Sequence, residues 1–369
     1  MTPKNFYRPT LAMVDLNAIK KNILNLKKQI SHSVDVIAVV KANAYGHGDV
    51  EVSNAALKAG ASALAVATPD EAIRLRESGI ESPILVLGSS PPSFAAVASR
   101  YGITVTVFRK DWFLHIPTLP QTLNVHIKID TGMGRLGVTT ESDLSLLLQT
   151  IHQRPDIRID GVFTHFATAD EEDENQFTQQ LSKFERFLQC FPEKPRCIHS
   201  ANSAAAFMHE KSLFDAVRFG ISMYGLAPSP YVSDNLSAPL EPVMCLQTEV
   251  VHVKRVPAGS TISYGATYTA KEEEWIATLP IGYADGLLRG LSGQEVLIQG
   301  KRMPIIGRVC MDQCMVRLNG QVPVGEPVVL IGRQGDEQVS IEEWAQKLQT
   351  ISYEIPCILT NRVPRVYTP

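Results

Sequence analysis

Short apolar runs recur through the first two-thirds of the chain. Each is followed by a stretch whose apolar residues return every three or four positions. The runs at 34–40, 63–67, 84–87, 104–108, 125–129, 159–164, 196–199 and 217–221 predict strands. Val36-Ile37-Ala38-Val39-Val40 is continuous rather than alternating, the pattern of a strand covered on both faces in a parallel sheet. Between the runs, the spacing predicts helices, among them 69–78, 141–152 and 175–190, most ending near Gly or Pro. Eight strands alternating with helices over roughly 210–230 residues match an α/β fold of the (β/α)8 TIM-type barrel kind. A doubly wound open sheet is the alternative, but it typically has fewer strands and no phosphate loop so late in the chain.

The pattern then changes. Residues 227–242 are rich in Pro and Ser and read as a boundary. Beyond them, short alternating runs separated by turns such as Pro257-Ala258-Gly259 predict a mainly antiparallel β domain. One helix interrupts it, started by Ser340 with Glu343 three residues on, a capping box. The expected domains are therefore a barrel over 1–240 and a C-terminal β domain over 241–369.

Composition narrows the function classes. Of the 369 residues, 44% are hydrophobic, enough for a sizeable core, and the net charge of −3 leaves no basic footprint for nucleic acid or an anionic membrane. The amino terminus lacks the apolar segment of a secretory leader, and no apolar stretch approaches membrane-spanning length. Six scattered cysteines show no paired metal-ligand spacing, so no metal site is expected, and reduced thiols point to the cytoplasm. The acidic run 170–174 reads as a solvated loop leading into a helix start.

On a barrel, the polar residues collect at the carboxyl ends of the strands, where such folds place chemistry. The first strand ends in Lys41, followed by Tyr45. The fifth gives Lys128 and, through a glycine-marked loop, Arg135. The sixth gives His165, the seventh His199, Asn202 and Ser203, and the eighth Arg218, Gly220 and Ile221. A partly desolvated strand-end amine has a lowered pKa and can form a Schiff base. The loops after the last two strands are the usual phosphate site of a barrel, and Ser203 and Gly220 suit an anion there. A phosphate on one side of the mouth and an amine on the other imply a phosphorylated aldehyde, and pyridoxal 5′-phosphate fits.

The segments AVVKANAYGHG, HIKIDTGMGRLG, FTHFATAD, HSANSAA, VRFGISMYG, ISYGATY, IGYADG, GRVCMDQC and ISYEIPC, in this order, resemble those of the bacterial alanine racemase family over residues 10–366. The resemblance implies a homodimer with shared active sites that interconverts L- and D-alanine and supplies D-alanine for peptidoglycan. It implies that Lys41 holds the cofactor and is the base on the D face, and that Tyr264 is the base on the L face. By the same resemblance, Arg218 faces the pyridine nitrogen. Tyr45, Ser203, Gly220, Ile221 and Tyr353 meet the phosphate, with His165 and Asn202 beside them. Arg135 and the Met311 backbone N–H meet the substrate carboxylate, and Lys128 is a site of carbamylation. Phe219 departs from the proline many relatives carry, without touching the donors at Gly220 and Ile221. Three rival readings stand beside it: a decarboxylase on the same barrel typically carries an acid at the pyridine nitrogen, a non-catalytic cofactor carrier needs no second domain, and a broad-specificity racemase is the closest competitor.

Overall fold

In the computed structural model, residues 6–369 are described. Residues 1–5, part of the terminus read above for a leader, lie outside them. The chain forms two compact units. One comprises 17–44 with 48–242, and the other comprises residues up to 16 with 45–47 and 243–369.

The first unit is an eight-stranded parallel sheet of Asp35–Val39, Ala63–Val66, Ile84–Ser89, Ile103–Val107, Leu123–Lys128, Ile157–Phe163, Cys197–His199 and Ala216–Phe219. Every strand predicted from the apolar runs overlaps one of these. Ile103–Val107 and Ala216–Phe219 are buried at every position, as strands covered on both faces are, even where Thr104, Thr106 and Arg218 interrupt the apolar residues. The last strand pairs in parallel with the first, Asp35 opposite Ala216 and Ala38 opposite Phe219. Asp215 N–H donates to Ile198 O at 2.9 Å and Arg218 N–H to Ala201 O at 3.0 Å, so the seventh and eighth strands also meet and the ring closes as a barrel. Helices alternate with the strands. Pro69–Glu77 starts with Thr68 as cap in a complete capping box, a device worth about 1 kcal/mol. Asn175–Leu188 buries Phe177, Leu181, Phe184 and Phe187 on one stripe.

The second unit is a ten-stranded sheet, antiparallel apart from one pair, with a separate two-stranded hairpin of Thr261–Ile262 and Tyr268–Thr269. The exception is Leu11–Asp15, which pairs in parallel with Arg365–Thr368 and antiparallel with Met244–Glu249. The start of the chain, grouped with the barrel on sequence, thus contributes a strand to the sheet built by the end of the chain. The helix Ile341–Leu348 carries the capping box read at Ser340 and Glu343. Within the Pro-rich boundary, Ser229 caps a short helix, Pro230–Asn235, and the first unit ends at Pro242. Among the described residues, no helix is long and apolar enough to cross a membrane.

Candidate active site

Lys41 begins the turn that leaves the first barrel strand and is half-buried. The four residues after it, Ala42, Asn43, Ala44 and Tyr45, all have φ between 51 and 54°, a left-handed run without a glycine. Each such residue costs roughly 1–2 kcal/mol, so the turn must be held from outside. Glu71 does part of this. Its carboxylate accepts from Ala42 N–H at 2.6 Å and from the Ala67 and Thr68 N–H groups at 2.7 and 3.1 Å, locking the lysine turn to the start of the next helix. Asn43 adds its backbone and side-chain oxygens as acceptors for Gly48 and Asp49 N–H. Sequence reading passed over Glu71, whose only local signal was Thr-x-x-Glu before a helix.

At the same end of the barrel, Arg218 is 3% exposed and its guanidinium is caged. Nη1 donates to His199 O at 3.0 Å and to His199 Nδ1 at 2.9 Å. Nη2 donates to Thr164 O and Ser200 O, both at 2.8 Å, and to His165 Nδ1 at 3.3 Å. A buried cation is tolerated only when its donors are met in this way. Burial lowers its pKa to about 9, which still leaves it protonated at neutral pH. His165 and His199 are both pushed well below the ordinary imidazole value, by burial first and then by the charge of Arg218, so both are neutral and can accept its hydrogens.

Lys128, 4% exposed, ends the fifth strand. Burial, then the charges of Arg135 and Arg218, bring its amine down to about 8, against the opposing pull of Asp130. The loop carrying Arg135 is shaped by Asp130, whose carboxylate accepts from Gly132 and Gly134 N–H at 3.0 and 3.1 Å. Gln180, 1% exposed, binds Thr131 Oγ1, His165 O and Ala167 N–H and so couples the fifth and sixth strand ends. It too escaped sequence reading, since a glutamine in an amphipathic helix carries no signal of its partners.

After the last two strands, Asn202 caps the helix Ser203–Met208 by accepting from Ala205 N–H, and Ser203 Oγ accepts from Gly220 N–H at 2.9 Å. Ile221 opens the 3-10 turn that follows Gly220, and Tyr224 Oη donates to Val39 O at 2.9 Å, tying that turn to the first strand. Phe219, fully buried, packs edge-on against Phe207.

Within the second unit, Tyr45 and Tyr353 come together, ring centroids 6.3 Å apart. Burial, then Tyr353 and Cys357, raise the Tyr45 phenol above its ordinary range, so it remains a neutral hydroxyl. Gly46 beside it has φ 81°, and a Cβ there would lie 2.0 Å from Pro356 O, so no other residue fits. Tyr264 sits at the tip of the hairpin between Ile262 and Tyr268, 71% exposed, with Ser263 and Ala266 also at positive φ. Ser263 Oγ donates to Arg308 O at 2.6 Å, which anchors the hairpin to the segment leading to Met311. Met311 O accepts from Ala284 N–H, and the turn that provides this bond is pinned by the buried Asp285, bound by Arg8 at 2.8 and 2.9 Å.

These features coincide with known proteins. The alanine racemase N-terminal domain family matches residues 14–228 and the alanine racemase C-terminal domain family residues 243–367. The chain is 51% identical over 366 residues to an alanine racemase of Geobacillus stearothermophilus, covering 98% of this chain and 94% of that protein. It is 49% identical over 369 residues to alanine racemase 1 of Bacillus subtilis, covering 100% and 95%. A crystal structure of alanine racemase from Bacillus anthracis with bound L-Ala-P superposes with a TM-score of 0.96 at 47% identity, covering 99% of this chain and 96% of that one. The chain therefore belongs to the alanine racemase family, isomerases that use pyridoxal 5′-phosphate to interconvert L- and D-alanine.

Proposed function

We propose that this racemisation runs on two bases, Lys41 acting on the D face of the substrate Cα and Tyr264 on the L face. Racemisation needs a proton removed on one side and returned on the other, so two acid–base groups must flank Cα. One observation carries the assignment. Among the described residues, eight non-glycine residues have positive φ, and six of them (Ala42, Asn43, Ala44, Tyr45, Ser263, Ala266) flank Lys41 or Tyr264. Backbone strain of this kind concentrates where a side chain must be held in a fixed pose.

The residues present suit the cofactor. The mouth of the barrel gathers the amines of Lys41 and Lys128 with the guanidinium cations of Arg135 and Arg218, a positive field suited to an anionic cofactor and a substrate carboxylate. When bound, the cofactor supplies an electron sink for the Cα carbanion. Lys41 would hold it, while Ser203, the Gly220 and Ile221 backbone, Tyr45 and Tyr353 would hold its phosphate. His165 and Asn202 would position these groups, His165 by accepting from Arg218 and Asn202 by capping the helix that carries Ser203. Arg135 and Met311 N–H would orient the substrate carboxylate. Arg218 would face the pyridine nitrogen and, as a guanidinium that keeps its proton, leave that nitrogen unprotonated.

With its amine near 8, Lys128 offers neutral nitrogen to carbon dioxide, forming a carbamate with release of a proton. Labelled bicarbonate should appear on wild-type protein increasingly above about pH 8, and on none of the Lys128→Ala variant. An unlabelled wild type would refute the carbamate.

We further propose that the enzyme is a cytoplasmic homodimer with shared sites, with the barrel unit and the β unit as its two domains, and that it supplies D-alanine for peptidoglycan. The exposure of Tyr264 on a single chain supports the dimer. The two-base assignment is tested by following exchange of the substrate α-proton with deuterated solvent. In Tyr264→Phe, exchange from L-alanine should fall by about 10²-fold while exchange from D-alanine is largely kept. Equal losses from both enantiomers would contradict face specificity.

A further inference from the structure

Behind Arg218, a file of polar side chains runs through the barrel core away from the catalytic mouth. Arg218 Nη1 donates to His199 Nδ1 at 2.9 Å. His199 Nε2 lies 2.9 Å from His126 Nδ1, and His126 Nε2 lies 3.9 Å from the Asp160 carboxylate. His199 is fully buried and His126 is 6% exposed. Asp160 reaches a basin of about 1000 Å3 at the amino-terminal ends of the strands, lined also by Asp35, Arg158, Arg196 and Asp215. This is the opposite end of the barrel from Lys41.

The geometry fixes every hydrogen along the file. Because guanidinium can only donate, His199 Nδ1 must be its lone pair, and a neutral His199 then carries its hydrogen on Nε2. That hydrogen needs an acceptor, so His126 Nδ1 must also be a lone pair and His126 Nε2 must carry the hydrogen. Asp160 selects this arrangement, because a carboxylate favours an N–H over a lone pair turned toward it. Asp160 itself stays ionised. Contact with His126, and then the charges of Arg158 at 3.5 Å and Arg196 at 3.9 Å, hold its pKa below the ordinary carboxylate value.

Two backbone features serve this file. The pairing register slips between Val125 and His126, from Ile159 directly to Gly161, so Asp160 is the extra residue of a bulge, a device that re-aims a side chain. Gly161 lies against the imidazole, where a Cβ would sit 2.6 Å from His126 Cε1 and 2.8 Å from Nδ1. A bulge and a glycine at adjacent positions accommodate one acid and one ring.

We infer that His126 and Asp160 are positioning residues that hold His199 in its Nε2–H tautomer and thereby fix the Arg218 guanidinium. The wrong tautomer would set an N–H against a guanidinium N–H in a buried site and push the arginine off its pose, though its backbone acceptors would still hold it. The consequence for turnover rests on the reading of Arg218 as the group facing the cofactor's pyridine nitrogen.

Nitrogen-15 NMR of histidine-labelled holoenzyme tests this, with His199 identified by its loss in His199→Gln. Both His126 and His199 should show a protonated Nε2 and an unprotonated Nδ1. Asp160→Leu should add a second His199 tautomer and lower kcat about tenfold with little change in KM, the size of effect typical of outer-shell orienting groups. Asp160→Asn, which keeps an acceptor oxygen, should restore both. If Asp160→Leu does not fold, His126→Phe, which fills the ring's volume without its acceptor, should produce the same His199 mixture. A wild-type His199 protonated on Nδ1, or one unchanged tautomer in a variant that loses turnover, overturns the inference. A changed tautomer with full turnover overturns the catalytic consequence and places the fault in the role read for Arg218.

Discussion

Lys41→Ala should lower racemisation of both enantiomers by roughly 10³-fold or more, because one amine is assigned two tasks. It would bind the cofactor covalently, and it would be the base on the D face. Losing either task slows both directions, since a racemase must deprotonate one face and protonate the other in every turnover. The loss should not come from unfolding. The turn after Lys41 is held by Glu71 and by the oxygens of Asn43, none of which depends on the lysine side chain. Thermal denaturation should therefore stay close to wild type while activity collapses. In the wild type, borohydride reduction should fix the cofactor to the peptide carrying Lys41. A label on another lysine, or a Lys41→Ala enzyme within tenfold of wild type, would remove Lys41 from both roles.

The barrel was legible because most of its strand positions are buried, so each strand carries aliphatic residues that stand out locally. Leu11–Asp15 was not, since its partners are Met244–Glu249 and Arg365–Thr368, more than 200 residues away. Local periodicity says nothing about which sheet a strand will join. The rim residues were readable for a related reason: Lys41, Arg135 and Arg218 lie inside compact motifs at strand ends. The groups that hold them were not. Glu71 binds the turn after Lys41 from 30 residues on, and Gln180 joins two strand ends from the middle of a helix. His126 and His199 are 73 residues apart and become partners only once the barrel closes. Such groups act through other residues, and spacing along a chain does not encode that.

The most direct test of the central claim, that Lys41 and Tyr264 are the two bases of a site shared between subunits, is a mixing experiment. Tyr264 lies at the tip of a hairpin in the C-terminal unit and Lys41 at the end of a barrel strand, and each is assigned to a site completed by the other subunit. Lys41→Ala and Tyr264→Ala proteins, each inactive alone, are combined in equal amounts, dissociated and allowed to reassociate. Random pairing makes half of the dimers mixed. Each mixed dimer then holds one site with both lesions and one with none, so activity should rise from background to about a quarter of wild type. If both residues served the same chain's site, every site would keep one lesion, and a mixture that stayed inactive would contradict the account.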